Sequence, residues 1–187
     1  RLSVAGRCLS QTPAAIEAAK YIFDNDKKEY TIAKLIASNC YASDDYACAE
    51  NYYQQAAELA STGENKADAY ISLANIQMKQ GKKASAREFA RKAISADSQN
   101  KNASSFIASL YMNSFNDCKQ DKDPVQDRAV FIAAYNWYQK AGDSEGMAKA
   151  KEQFPSMEEI FTWNYELGQE VTVGCWINES VKIQKRD

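Results

Sequence analysis

Apolar residues recur at helical spacing along most of the chain, and the pattern itself repeats. Residues 67–100 contain two such stripes separated by Gly81. The first comprises Tyr70, Leu73 and Ala74, with Gln77 continuing the same spacing, and the second comprises Ala86, Phe89, Ala90, Ala93 and Ile94. A period near 3.6 residues on both sides of a glycine predicts two amphipathic helices joined by a turn. The alanines predict that the helices approach closely.

The same plan recurs on both sides of this segment. Upstream, Ile36 and Ala37 match the positions of Leu73 and Ala74. Downstream, Ile107 and Ala108 follow Leu73 and Ala74 by 34 residues. Second helices are predicted at matching positions, with an insertion of about 14 residues before the last of them. Their matching residues are Ala49, Tyr52 and Ala56 upstream and Ala134, Trp137 and Ala141 downstream. Near the start, Thr12 and Pro13 predict the cap and first position of another second helix.

The 34-residue unit, with its aromatic-x-x-Leu-small signature, resembles a tetratricopeptide repeat (TPR). Ser98 stands where that family usually has proline. The resemblance implies an all-α, right-handed superhelix of helical hairpins. We expect repeats over residues 1–142, with a partial unit at 1–29, units at 30–66, 67–100 and 101–142, and the insertion at about 115–128. Capping helices are expected at 143–168 and a β-hairpin tail at 169–187.

The C-terminal prediction depends on local signals. Ser156 and Glu159 form a capping-box pattern, and Gly168 is the expected end of that helix. Residues 170–186 then alternate apolar and polar residues, which predicts a β-hairpin with Asn178 and Glu179 between its strands. The tail also resembles the end of TPR proteins from Bacteroides-type bacteria. That resemblance implies a periplasmic or cell-envelope location, with any targeting signal upstream of this first residue, which is not Met.

Composition excludes several classes of function. The chain has no histidine, which removes Ser–His–Asp and Cys–His catalysis and His-containing zinc sites. A net charge of −2 gives no global attraction to nucleic acid. The five cysteines form no C-x-x-C pair, and they leave the compartment open. A disulfide between Cys40 and Cys48 is possible. We predict no enzyme activity, no cofactor and no metal site.

The insertion and the basic run of residues that follows Gly81 each allow a more specific functional hypothesis. Four aspartates between residues 117 and 127 suggest a calcium loop, but no glycine or closing glutamate supports it. Asp123 before Pro124 is better interpreted as a helix cap. Lys83, Arg87 and Arg91 share one helix face, which we interpret as facing solvent rather than phosphate. Glu88 and Lys92 are expected to pair across one helical turn.

In TPR arrays the first helices line the concave side, so their non-core residues become the candidate ligand site. A ridge of Tyr41, Met78 and Met112 beside a polar row of Ser38, Asn75 and Ser109 suits an extended or helical peptide. We therefore predict a scaffold that binds a protein or peptide, with self-association through the tail or the N-terminal face as the alternative. The predicted groove residues are Lys34, Ser38, Tyr41, Asp68, Ile71, Asn75, Met78, Ser105, Ser109 and Met112.

Overall fold

Helices account for most of the chain in a computed structural model that describes residues 13–25 and 28–187. The elements divide between two compact units, with the boundary between Ser98 and Gln99. The first unit contains α1 (Pro13–Asn25), α2 (Tyr30–Ala42), α3 (Tyr46–Leu59), α4 (Gly63–Lys79) and α5 (Lys83–Ala96). The second contains α6 (Lys101–Met112), α7 (Phe115–Cys118), α8 (Pro124–Ala141), α9 (Ser144–Lys151), α10 (Met157–Thr162), β1 (Glu170–Val173) and β2 (Glu179–Lys182).

Helix pairs α2–α3, α4–α5 and α6–α8 form the hairpins that the repeat pattern predicts. The alanines predicted at close contacts are fully buried, among them Ala37, Ala74 and Ala86. Gly63 marks another close approach, because a Cβ there would overlap the backbone carbonyl of Ala96. Small residues at these positions let the helix axes come together, and larger apolar residues fill the space beside them.

Gly81 ends α4 in the left-handed conformation, with φ of 74°. Its N–H donates to the Met78 carbonyl at 3.0 Å, and the N–H of Lys82 donates to the Gln77 carbonyl at 2.9 Å. This pair of bonds is a Schellman motif, which satisfies carbonyls at a helix end and favours glycine. Gly81, in the basic run, therefore forms the turn between α4 and α5.

The predicted caps of the second unit are present. Asp123 accepts from the N–H groups of Val125 and Gln126 at 2.9 and 3.0 Å, so it caps α8 as predicted. Ser156 and Glu159 form the predicted capping box of α10. At the chain start, α1 begins at Pro13, and the predicted cap Thr12 lies outside the described residues. The repeat boundaries stay a prediction.

The end of α10 corrects the prediction that this helix runs to Gly168. It ends at Thr162, and Asn164 adopts a φ of 56°. The N–H of Asn164 donates to Phe161, and that of Tyr165 donates to Ile160. Asparagine tolerates this left-handed position, so it ends the helix in the way that glycine does elsewhere.

The tail forms the predicted antiparallel hairpin, with Val171 opposite Val181 and Val173 opposite Glu179. Its inward valines are buried, and both strands pack on α8. The predicted two-residue turn at Asn178 and Glu179 is wrong, because Glu179 begins β2 and the loop is residues 174–178. Ile177 within that loop is 1% exposed, so it belongs to the core although it belongs to no strand.

Candidate functional site

Lys34 on α2 and Asp68 on α4 connect two neighbouring first helices in the first unit. The Lys34 Nζ lies 2.9 Å from the Asp68 Oδ2 and 5.5 Å from the centroid of the Tyr30 ring. Burial alone would lower the pKa of Lys34, but the bond to Asp68 and the nearby Tyr30 phenol outweigh it and raise that pKa. Lys34 is therefore charged at neutral pH, and both ends of the pair are accessible to a ligand.

A small pocket of about 110 Å³ opens beside this pair, lined by Tyr41, Tyr53, Ser72 and Asn75. Tyr41 and Asn75 are predicted groove residues, and the fold brings them together from α2 and α4. Burial raises the pKa of the Tyr53 phenol, and the hydrogen bond with Ser72 partly offsets that shift. The pocket thus joins two phenol groups, a hydroxyl and an amide, which can contact apolar groups and exchange hydrogen bonds.

Two of the predicted groove residues of the first unit, Tyr41 and Asn75, line this pocket, and the others lie on α2 and α4 outside its lining. Asn75 Nδ2 donates to the Ile71 carbonyl at 2.9 Å, and Ser38 Oγ donates to the Leu35 carbonyl at 2.9 Å. The side-chain carbonyl oxygen of Asn75 remains available as an acceptor, since only the side-chain amide nitrogen is used in that bond. Met78 is 41% exposed, and Ile71 is half-buried.

In the second unit, the predicted residues lie on α6. Ser109 is exposed, whereas Ser105 and Met112 are half-buried. The Ser109 hydroxyl lies 3.2 Å from the hydroxyl of Tyr138 on α8. The proposed Tyr41–Met78–Met112 ridge stays a prediction.

Sequence reasoning missed the tyrosines contributed by the second helices. Tyr53 on α3 and Tyr138 on α8 each bring a phenol to a first-helix serine, at Ser72 and Ser109. Each tyrosine follows a fully buried alanine, Ala49 or Ala134, by four residues. This common four-residue spacing from a buried alanine is the feature of the sequence from which both tyrosines could have been predicted.

The tail is anchored by a glutamate that the sequence analysis placed in a turn. Glu179 accepts hydrogen bonds from the Tyr111 hydroxyl and, at 3.0 Å, from Trp137 Nε1. Trp176 packs edge-on against Tyr111, with ring centroids 5.6 Å apart. These contacts hold the hairpin against α6 and α8, so its apolar face is covered by its own unit.

Two disulfides form among the described cysteines. Cys40 and Cys48 have Cα atoms 5.7 Å apart, and they close the α2–α3 turn as the sequence allows. Cys118 and Cys175 have Cα atoms 5.2 Å apart, and they tie the insertion to the hairpin loop. The fifth cysteine, Cys8, lies outside the described residues.

Ligands for a metal ion come together at one place in the described part of the chain, where Cys40, Asp45 and Cys48 meet. The two sulfurs are joined in a disulfide, so they lack the thiolate charge that binds metal. The Asp45 carboxylate accepts from the Cys48 N–H at 3.1 Å and caps α3. In the insertion, Asp127 likewise accepts from the N–H groups of Gln120 and Asp121. These acids act as backbone caps.

The basic run on α5 is only partly as predicted. The Arg87 side chain is 12% exposed, so the prediction that it faces water is wrong. A long side chain can lay its methylene stem along the helix surface, which removes it from solvent. Glu88 lies 3.3 Å from Arg87 and 4.0 Å from Arg91, in place of the expected pair with Lys92. The Lys92 ammonium instead lies 5.0 Å from the centroid of the Phe89 ring.

Solved structures with similar folds include two of MamA protein. One matches at a TM-score of 0.53 and 23% sequence identity, and the match covers 73% of this chain. It covers 66% of the MamA chain, slightly under two thirds of that protein's length. The other matches at a TM-score of 0.50 and 13% identity, covering 88% of this chain and 96% of that one. The fold is TPR-like. The structure of YrrB, titled as a TPR protein with an unusual peptide-binding site, matches at 0.48 and 12% identity, covering 83% and 79%.

No protein-family model matches the sequence, and no curated protein matches it. The resemblance of the tail to Bacteroides-type proteins stays a prediction. Among the helices of the described residues, none combines the length and the apolar character that crossing a membrane requires.

Proposed function

We propose that the chain is a non-catalytic scaffold that binds a protein or peptide segment along the exposed faces of its first helices. The observation that carries the proposal is the pocket of Tyr41, Tyr53, Ser72 and Asn75. It lies between neighbouring first helices, where the TPR resemblance implies a ligand surface. Its volume of about 110 Å³ suits one side chain rather than a small-molecule substrate, whose sites span about 300–1,000 Å³.

The polar groups around the pocket favour an extended peptide. The Asn75 side-chain carbonyl oxygen can accept from a peptide N–H. The half-buried Tyr41 ring can pack on a side chain, beside the buried Tyr53 phenol that bonds with Ser72. The Lys34–Asp68 pair presents both charge signs beside the pocket. An extended ligand can therefore place one anchor side chain in the pocket and exchange backbone bonds along α2 and α4.

The alternative of self-association through the tail has less structural support. Val171, Val173, Val181 and Ile183 are buried, so the hairpin keeps its apolar face within its own unit. The N-terminal face remains a candidate for self-association, because Tyr21 on α1 is 66% exposed. Sedimentation of a Tyr21→Ser variant separates the two roles, since this change affects self-association and leaves the groove intact.

The two disulfides support an oxidising compartment, where such bonds persist. This agrees with the periplasmic or cell-envelope location implied by the tail resemblance. Mass spectrometry of alkylated protein from its native source tests the point. Two bridges that resist alkylation are expected, and freely alkylated Cys118 and Cys175 would contradict the assignment.

The groove is tested by selecting peptides from a display library on the wild-type protein. The selected peptides should bind Asn75→Ala at least about tenfold more weakly, since an anchoring contact contributes about 1.4 kcal/mol or more. The matched control is Asn51→Ala, which removes the same amide from an exposed position on α3. Equal loss in both variants, or unchanged binding to Asn75→Ala, would contradict the groove.

A further inference from the structure

The segment after the last repeat exposes large apolar side chains that its own unit leaves uncovered. Met157 and Phe161 on α10 are 52% and 81% exposed, and Trp163 and Leu167 just beyond it are 44% and 51% exposed. We call these four residues the α10 surface. Taking roughly 200 Å² for a full side chain of this kind, together they expose about 450 Å². A patch of that size on a single chain is often an interaction site.

The α10 surface combines a ridge with a cleft. Met157 and Phe161 are four residues apart, so they lie on one face of α10, and Ile160 at the inner edge of that face is 1% exposed. Trp163 lines a cleft of about 310 Å³, whose apolar walls include Phe115 and Pro124. A cleft of this volume accepts one or two apolar side chains, which is how the central anchors of an interface bind.

The charged residues of the segment that carries the α10 surface all have one sign. Between Lys151 and Lys182 the sequence contains six glutamates and no lysine, arginine or aspartate. One of the six is neutralised locally, because Glu159 lies 3.4 Å from Arg128 and 3.5 Å from Arg186. Glu179 keeps its charge, and it is held in place by Tyr111 and Trp137. Glu158 on α10 and Glu166 beside Leu167 are both exposed. Acidic groups thus flank the exposed apolar residues.

Charged groups inside the cleft do not change this balance. Arg128 is engaged by Glu159 and by the Gln153 carbonyl, at 2.9 Å. Asp127 is engaged by two backbone N–H groups. The remaining pair, Asp121 and Lys122, carries opposite charges. The surface as a whole is apolar with an acidic margin.

We propose that the α10 surface binds a basic amphipathic peptide segment of a partner protein, a site separate from the groove. Apolar side chains of such a segment cover Phe161 and enter the cleft beside Trp163, and its lysines or arginines face Glu158 and Glu166. Charge complementarity argues against an anionic membrane, which the acidic margin repels. A second copy of this chain would bring the same acidic margin against itself, so it is the less favourable occupant.

The probe is a synthetic amphipathic peptide of about 18 residues, built from leucine and lysine, long enough to form a helix and labelled with a fluorophore. Its partner probe replaces every lysine with glutamate. Fluorescence anisotropy should show binding of the lysine peptide to the full chain and at least about tenfold weaker binding of the glutamate peptide. Raising the salt concentration should weaken the lysine peptide, because exposed charges are screened. Equal binding of both peptides, or no binding of either, overturns the proposal.

Three variants locate the site. Phe161→Ser should weaken the lysine peptide at least about tenfold, and this residue is exposed enough that folding does not depend on it. The matched control is Ile22→Ser, an exposed apolar residue of the first unit, which should bind like the wild type. Asn75→Ala should also bind like the wild type, so that a failed groove and a failed α10 surface are distinguishable. Unchanged binding to Phe161→Ser overturns the proposal.

Charge reversal and sedimentation decide what occupies the surface. The double variant Glu158→Lys/Glu166→Lys should prefer the glutamate peptide, whereas Glu58→Lys on α3 should keep the original preference. An unchanged preference in the double variant removes the charge argument. If the wild type sediments as a dimer and Phe161→Ser as a monomer, the occupant is a second copy and the proposal is wrong.

Discussion

The bridge between Cys118 and Cys175 should be a large single contribution to the stability of the second unit. It joins residues separated by 57 positions in the sequence. A cross-link stabilises mainly by removing entropy from the unfolded chain, and a loop of this length gives about 4 kcal/mol at 25 °C. The Cys40–Cys48 bridge, with a separation of 8, gives about 2.5 kcal/mol by the same relation.

The perturbation is the double variant Cys118→Ser/Cys175→Ser. Cys175 is exposed and Cys118 half-buried, so serine adds little cost of its own. A unit of this size is stable by about 5 to 15 kcal/mol, and the variant should therefore fold in water. The control is Cys40→Ala/Cys48→Ala, in which alanine suits the buried Cys40.

Urea unfolding followed by tryptophan fluorescence measures the effect, because all three tryptophans lie in the second unit. The free energy of unfolding from this signal should fall by about 4 kcal/mol in the Cys118/Cys175 variant. The control variant should lose about 2.5 kcal/mol of stability in the first unit, so that part of the helical circular dichroism is lost at lower urea while the tryptophan transition stays unchanged. If the wild type carries the bridge and its removal costs less than about 1 kcal/mol, the loop-entropy argument is refuted.

Two further predictions concern the second unit. A Cβ at Gly146 would overlap the Tyr138 ring, so Gly146→Ala should destabilise the unit by about 1 to 3 kcal/mol in the same assay. Gly174→Ala, where a Cβ meets open space, should leave stability unchanged; equal effects would contradict the overlap. The hydrogen bond to Asp123 raises the pKa of Tyr165 to about 12, above the value of about 10 in an unfolded chain. The bond between Tyr165 and Asp123 stabilises the fold fully below pH 10, and this contribution is lost as the pH rises toward 12. Between pH 9 and 11 the free energy of unfolding should therefore fall more for the wild type than for Tyr165→Phe.

The buried helix positions and the helix caps could be predicted from the sequence, because both depend on residues that are close together in the chain. The buried sets at Ile36 and Ala37, and at Leu73 and Ala74, follow from helical spacing alone, and all four are fully buried. The caps at Asp123 and Ser156 also depend only on residues within four positions. Such features can be predicted because their physical causes lie within one or two helical turns.

The features that were missed depend on contacts across long stretches of chain. Cys118 and Cys175 are paired by the way the hairpin packs on α8, which no local pattern encodes. The hairpin loop was misplaced because apolar residues continue into it, with Ile177 filling the core from a non-strand position. Tyr53 falls within the second helix predicted around Tyr52, and only the packing of three helices shows that its phenol lines the pocket.

The position of the tail limits how this protein can change its length in evolution. In an array of repeats each unit contacts only its neighbours, so a duplicated unit can be added where the contacts on both of its sides are kept. A copy added after Ala141 would displace the hairpin from α8 and break the Glu179 hydrogen bonds and the Cys118–Cys175 bridge. Duplication of an internal segment such as residues 67–100 keeps all of these contacts. Lengthening is therefore expected within the array, with the last hairpin and its tail inherited together as one block.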